Sequence, residues 1–407
     1  MSLNDSLMQG PLNMNSLAGV LIRWREKRVA LTSDVVAMFS QILMNEQDRP
    51  SLRFLWRDDS RDGDFDVYES PVLIFGAACS PSIASYCFRR TATDFGDGDP
   101  LVTRAINEDS YVDDLMTGAA TEAEAVQLIG QLTETLRRGG FELGPWTSNS
   151  PAVLSQLMPE QRCEDDFNVG NADDHRALGV VWKPSSDMLT YRTHVPPETA
   201  TKRTVMSTVM SVFDPLGYLT GWLLRGKLLL QQIWKRDLSW DDKIPKDLEQ
   251  EWRKWTDELE RINVLRLPRH QFNNTCASEV ELHVFCDASE KGFASVLYYR
   301  WRTEDGGIEV SIVVAKSRVA PTKRLTIPRL ELQAAVLGVR MAADLMKEAR
   351  IKIKSATFWT DSKNVLAWIK SREVPRLGRY LRRHVQRFVS QGIRGPCELS
   401  CNRRREA

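Results

Sequence analysis

The segment Tyr111-Val112-Asp113-Asp114-Leu115-Met116-Thr117-Gly118 places two adjacent carboxylates inside an apolar run that reads as a β-hairpin. Side by side they repel each other, and burial raises that cost. The pair therefore implies a compensating cation, and the flanks show how a fold would present it. Strand-like residues lead into YVDD, a turn is expected at Thr117-Gly118, and a helix follows. Thr121 and Glu124 have capping-box spacing, EAEAVQLIGQLTETLRR is amphipathic, and Gly139-Gly140 supplies the stop.

The rest of the chain is read the same way. Residues 17 to 30 read as a helix, and Val29 to Phe39 as a strand that turns into a helix, with Asp34 at the change. Phe141 to Trp146 and Ala177 to Trp182 read as strands. From Lys202 to about Leu267 the chain is helical and Trp-rich, with the spacing of core packing. The loop Pro268 to Glu279 is a plausible boundary. Beyond it, VELHVFCDAS, a turn at Glu290-Lys291-Gly292 and FASVLYYRW form a hairpin signature. The strand IEVSIVVAK precedes a long helix opened by Pro328, then SATFWT ends at Asp361 and SKNVLAWIK is a short helix.

Bulk properties narrow the class. A chain of 407 residues can build two or three cores. Its 42% hydrophobic and 27% charged residues, with a net charge of +1, are those of a soluble globular protein. MSLNDSLMQG lacks a basic region followed by an apolar core, so no signal peptide is expected. Pro71 to Phe88, the longest uncharged run, holds two prolines, which argue against a membrane span. Seven cysteines, an odd count without C-x-x-C spacing, suggest a reducing compartment and free thiols rather than a disulfide frame or zinc site. From Lys370 to Ala407 there are eleven Lys/Arg against three Glu, a balance that suits either a polyanionic partner or a solvated helix face.

Two carboxylate constellations emerge. If the Asp34 strand neighbours the hairpin, Asp34, Asp113 and Asp114 converge. Hard oxygen ligands select Mg²⁺ or Mn²⁺, and a pair of such ions can activate a hydroxyl and stabilise a leaving pyrophosphate. Asp287 and Asp361 each end a strand, and Glu331 lies in the first turn of the long helix. That second cluster has the composition of a two-metal site able to set water against a phosphodiester.

These motifs, in this order, resemble the pol region of LTR retrotransposons of the Pao/BEL group, from SLNDSLMQGPLNMNSLAGVL to roughly Ser390. The resemblance implies an α/β chain: an α+β palm-type polymerase subdomain over 1–150, a primer-grip and helical connection over 151–275, and an RNase H-like domain over 276–407. It makes Asp34, Asp113 and Asp114 the polymerase metal ligands and Phe39, in SDVVAMF, a steric gate against a ribose 2′-OH. FGAACSP supplies Gly76, Ser80 and Pro81, which with Tyr111 line the nucleotide and template site. LGVVW (Leu178 to Trp182) resembles the primer grip, and TKRTVMSTVMSVFDPLGYLTG the segment that follows it. FCDASEKG, RLELQAA and TDSKNVLAWI resemble RNase H, with Asp287, Glu331 and Asp361 as ligands. Two Mg²⁺ (or Mn²⁺) per site, an RNA template, a DNA primer, an RNA–DNA hybrid and dNTPs are implied, with other element-encoded polypeptides as further partners. The implied location is intracellular, in cytoplasmic particles or the nucleus, and away from membranes.

The chain also departs from that pattern. About thirty residues precede Asp34, so the triphosphate-contacting fingers are expected to be missing. Gly144-Pro145 stands where basic residues are expected, with Arg137 or Arg138 as substitutes. No Asp follows Asp361, which leaves Glu373, Glu398 and His384 as stand-ins for a fourth nuclease carboxylate. GIRGPCELSCNRRREA does not continue the pattern and reads as a frameshifted or mis-spliced end. The expectation is a retroelement-derived fragment, weak or inactive alone, with a non-catalytic nucleic-acid-binding relic as the alternative. An aspartic peptidase would need a D-[ST]-G turn and an integrase an H-H-C-C pattern, and neither is present.

Overall fold

A computed structural model describes residues 2–11, 13–57, 65–163, 180–193, 199–272, 278–370 and 398–401. It divides into two units, Met1–Asp165 and Asp166–Ala407.

In the first unit, helix α1 (Leu17–Trp24) starts at Ser16, whose side chain accepts from the Gly19 N–H and so satisfies an orphan donor. The helix ends well before residue 30, and strand β1 (Val29–Asp34) follows. After β1 comes a 3-10 turn, Met38–Gln41, where a longer helix was expected. Strands β2 (Arg53–Trp56) and β3 (Asp66–Glu69) form a separate two-stranded sheet. Helices α2 (Ser80–Phe95) and α3 (Pro100–Glu108) lead to β4 (Ser110–Tyr111), β5 (Asp114–Ala119), α4 (Glu122–Arg138) and β6 (Thr147–Ser148). The main sheet is antiparallel throughout, in the order β4-β5-β1-β6. Leu31, Val35, Phe88, Ile106, Leu115, Leu132 and Trp146 form the core between this sheet and the helices.

The α4 capping box forms as read, with Thr121 and Glu124 each accepting from the other's backbone N–H. Two readings need correction. The hairpin turns at Val112-Asp113, and β5 runs on through Thr117 and Gly118, which pair with Leu31 and Ala30. The polar-looking Thr117-Gly118 step is absorbed because ladder partners are available on β1. Phe141 to Trp146 forms no continuous strand, only isolated bridges such as Val35 with Leu143. Pro145 brings no N–H and interrupts the ladder.

In the second unit, β7 (Val181–Lys183), β8 (Met188–Thr190) and β9 (Leu267–Pro268), the last far along the chain, form a small sheet. The β7–β8 turn is held by Asp187, which accepts from the Arg269 Nε (2.7 Å) and the Trp182 Nε1 (3.0 Å). Residues 177–179 of the predicted strand lie outside the described residues. Helices α5 (Lys202–Ser211), α6 (Thr220–Trp234) and α7 (Lys246–Thr256) bury the expected Trp and Leu faces. Trp222 stacks on Trp255 with centroids 3.9 Å apart.

An α/β layer completes this unit: β10 (Ser278–Ala288), β11 (Gly292–Arg302), β12 (Ile308–Val319), α8 (Ile327–Glu348), β13 (Ser355–Thr360), α9 (Lys363–Lys370) and β14 (Glu398–Cys401). The sheet order is β12-β11-β10-β13-β14, with β13 parallel to β10 and β14 parallel to β13. Glu398–Cys401, within the tail that does not continue the family pattern, forms the outer strand β14 of this sheet. Ser295 on β11 donates to the Ala334 carbonyl (2.7 Å), fastening α8 to one face. No helix among the described residues is long and apolar enough to cross a membrane.

Candidate active sites: two carboxylate clusters

Antiparallel pairing sets Asp34 directly opposite Asp114. Opposed residues share a face of the sheet, where like charges destabilise each other. Tyr111 pairs with Asp114 across the hairpin, so Val112 and Asp113 are its two-residue turn. Val112 adopts φ +56°, a left-handed conformation costly for a β-branched residue. The Asp113 carbonyl accepts from the Val35 N–H at 2.8 Å, which ties the turn to the strand carrying Asp34. Asp34 and Asp114 are thus paired across the sheet, with Asp113 in the adjoining turn.

Asp34 and Asp113 are exposed, whereas Asp114 is half-buried. Burial first, then the charges of Asp113 and Asp34, push the Asp114 carboxyl up to about 7. Its Oδ2 is buried and has no hydrogen-bond partner. A divalent cation would satisfy that orphan oxygen and offset the repulsion, and an all-oxygen donor set suits Mg²⁺ or Mn²⁺. As the side chains stand, no three His, Cys, Asp or Glu among the described residues form a group able to hold a metal.

Gly144 has a structural explanation. Its N–H donates to the Asp34 carbonyl (2.8 Å), and a Cβ there would lie 2.2 Å from the Asp34 Oδ1. A side chain at 144 would therefore require the Asp34 carboxylate to shift. Arg137 is paired with Glu134 and Arg138 with Asp97, so both proposed substitutes are engaged at the end of α4.

The other readings for this unit fall around the hairpin. Pro81, Met38, Ser110 and Val112 line one small cavity. Phe39 packs against Phe75 with ring centroids 4.8 Å apart. Ser80 is buried and donates to the Ile74 carbonyl (2.6 Å), which makes it a fastener of its own loop. Gly76 adopts φ +86°, and its carbonyl accepts from the Asn4 side chain (2.9 Å).

Beneath the hairpin lies a network that sequence reasoning missed. Arg23 of α1 and Asp109 pair at 3.1 Å, and both side chains are nearly inaccessible, at 4% and 2%. Thr117 on β5 donates to the second Asp109 oxygen (2.8 Å), and the Asp109 carbonyl accepts from the Met116 N–H (2.8 Å). The pair thus clamps α1 to both strands of the hairpin. The available signal was an arginine inside the apolar run LAGVLIRW.

In the second unit, Asp287 lies on β10 and Asp361 directly follows β13. Parallel pairing opposes Phe285 to Trp359, two residues before each, so both aspartates leave from the same end of the sheet. They line one cavity of about 450 Å³, together with Tyr218, Phe285 and Trp359. Ser362 donates to Glu331, which brings the third carboxylate beside the Asp361 strand end. Of the stand-ins for a fourth, Glu373 and His384 lie outside the described residues, and Glu398 falls on β14.

Residues 201–362 match the family described as a Pao retrotransposon-like RNaseH-like domain. No curated protein matches the chain. Among solved structures, it is similar to the foamy viral protease-reverse transcriptase in complex with an RNA/DNA hybrid, at 12% identity and a TM-score of 0.57. A related foamy viral structure, described as dRH and in complex with double-stranded DNA, matches at 14% identity and a TM-score of 0.57. Each likeness covers 96% of this chain, which spans 46% of the first structure and 60% of the second. At such identities the likeness concerns the fold.

Proposed function

We propose that the chain, whose residues 201–362 match the Pao retrotransposon-like RNaseH-like domain and whose fold is similar to the foamy viral protease-reverse transcriptase, descends from an RNA-directed DNA polymerase with an attached ribonuclease H. In this reading residues 1–150 are the palm, 151–275 the primer-grip and helical connection, and 276–407 the nuclease. Asp34, Asp113 and Asp114 would hold two Mg²⁺ or Mn²⁺ ions for nucleotidyl transfer. Asp287, Glu331 and Asp361 would do the same for hydrolysis of an RNA strand. Bound metal would supply charge neutralisation and a lowered pKa for the attacking hydroxyl or water.

The polypeptide's own work is positional. The β1–β5 register presents Asp34 and Asp114 together, the Val112 turn fixes Asp113, and Phe39 and Gly76 flank the nucleotide. The substrates are dNTPs on an RNA template with a DNA primer, and then the hybrid product. We assign the site of action to cytoplasmic particles or the nucleus, with other element-encoded polypeptides as partners. The observation that carries the reading is the orphan, protonation-prone Asp114 opposite Asp34.

Activity alone is weak or absent in this proposal, since glycine stands at 144 where a basic residue is expected. A non-catalytic nucleic-acid-binding relic is the second reading, favoured by Gly144 standing where a basic residue is expected. Primer extension on an RNA template with Mg²⁺ separates them. Weak extension lost on Asp113→Ala supports the polymerase. Salt-dependent duplex binding unchanged by that substitution, with no extension, supports the relic. Robust extension by the isolated chain would overturn the claim of weak activity.

A further inference from the structure

The segment TKRTVMSTVMSVFDPLGYLTG (201–221) takes no part in either carboxylate triad, yet it holds one of the most heavily bonded carboxylates in the second unit. The Asp214 Oδ1 accepts from the Tyr218 N–H (2.9 Å) and the Tyr191 hydroxyl (2.9 Å), and its Oδ2 from the Leu219 N–H (2.7 Å). Three donors on one half-buried carboxylate fold residues 214–220 into a tight turn. Tyr191 lies directly after β8, so the same carboxylate reaches the β7–β8 hairpin.

The outer side of this turn grips the edge strand of the nuclease sheet at alternate residues. The Ala315 N–H donates to the Leu216 carbonyl (2.8 Å), the Tyr218 hydroxyl to the Val313 carbonyl (3.1 Å), and the Ser317 hydroxyl to the Thr220 carbonyl (3.0 Å). Contacts at 313, 315 and 317 follow the two-residue repeat of a strand. Gly217 permits the approach: it adopts φ +77°, and a Cβ there would lie 1.7 Å from the Ala315 carbonyl oxygen. Gly217, Tyr218 and Thr220 also line the cavity that holds Asp287 and Asp361.

We propose that Asp214 is a positioning residue, the joint that fixes the β7–β8 hairpin to the nuclease sheet, so that a duplex held by this unit meets Asp287 and Asp361 at a set position. The functional half of this statement rests on the nuclease reading above. The mechanical half does not.

The test uses hydrogen exchange on the full chain, together with cleavage of an end-labelled RNA–DNA duplex in Mg²⁺. Asp214→Ala should speed exchange at least tenfold at the Tyr218, Leu219 and Ala315 amides and in β8, while the β10–β11 ladder is unchanged. Gly217→Ala should free Ala315 with Asp214 intact. Tyr191→Phe should loosen β8 and leave Ala315 protected. The wild type should cut within a narrow window, which Asp214→Ala widens to several neighbouring positions with kcat within about threefold. Unchanged Ala315 exchange in both the Asp214 and Gly217 variants overturns the joint. So does a loosened turn with unaltered cut positions. If the wild type cuts no duplex, the functional half of the proposal falls, and the exchange data alone decide whether Asp214 joins the two elements.

Discussion

Asp114 retains its proton up to about 7 in the folded, metal-free chain, against 3.8 for the ordinary side chain. A carboxyl with a raised folded pKa stabilises the fold fully below its unfolded value and loses that contribution as pH rises through the folded one. In EDTA, the advantage of Asp114→Asn over wild type should therefore grow by ~1–3 kcal/mol between pH 5 and pH 8, a range set by about 1.4 kcal/mol per pKa unit. Urea denaturation across that range checks it, and saturating Mg²⁺ should flatten the wild-type profile. Gly144 gives a second residue-scale prediction. Gly144→Lys, which would install the missing cation, should lower stability by ~1–3 kcal/mol through overpacking and fail to raise primer extension. Enhanced extension by this variant would contradict the 2.2 Å approach to Asp34.

Among the elements, α1 matters through its buried arginine. Arg23→Met removes the buried cation from beside Asp109 and should cost ~3–5 kcal/mol, whereas Arg23→Met with Asp109→Leu should recover most of that loss. Equal losses in the single and double variants, by chemical denaturation, would show that the pair is not what clamps the hairpin. This network also marks the limit of local reading. The α4 cap, the β10–β11 hairpin and the proline-opened α8 were all legible because their signals lie within a few residues of each other. Arg23 and Asp109 are distant in sequence, and nothing in the spacing of either announces the other. The hairpin turn was misplaced for a related reason: Thr117-Gly118 looks like a turn until β1 supplies its partners. The three aspartates were legible as a set from their strand-end positions, but the burial that singles out Asp114 was not.

At the scale of the whole chain, the second unit treats the helical connection and the α/β layer as one structure. A piece beginning at residue 276 loses Leu216, Tyr218 and Thr220, and so bares the edge of β12, an invitation to intermolecular strand pairing. Such a piece should self-associate, whereas one beginning at residue 199 should remain monomeric in light scattering. The family match already begins at 201, in the helices and not at the first strand of the layer. The sequence boundary at Pro268 to Glu279 marks a change in composition, which is a weaker criterion than the bonds that cross it.

The pairing of Asp34 with Asp114 makes the first site a gauge of alignment between two strands. Sheet side chains alternate, so sliding β1 by one position against β5 would send the Asp34 carboxylate to the opposite face. The six paired positions would still offer a ladder of hydrogen bonds, and the chain could keep much of its structure. In the proposed polymerase, chemistry would depend on a single tooth of a vernier: a misaligned copy would be folded and silent.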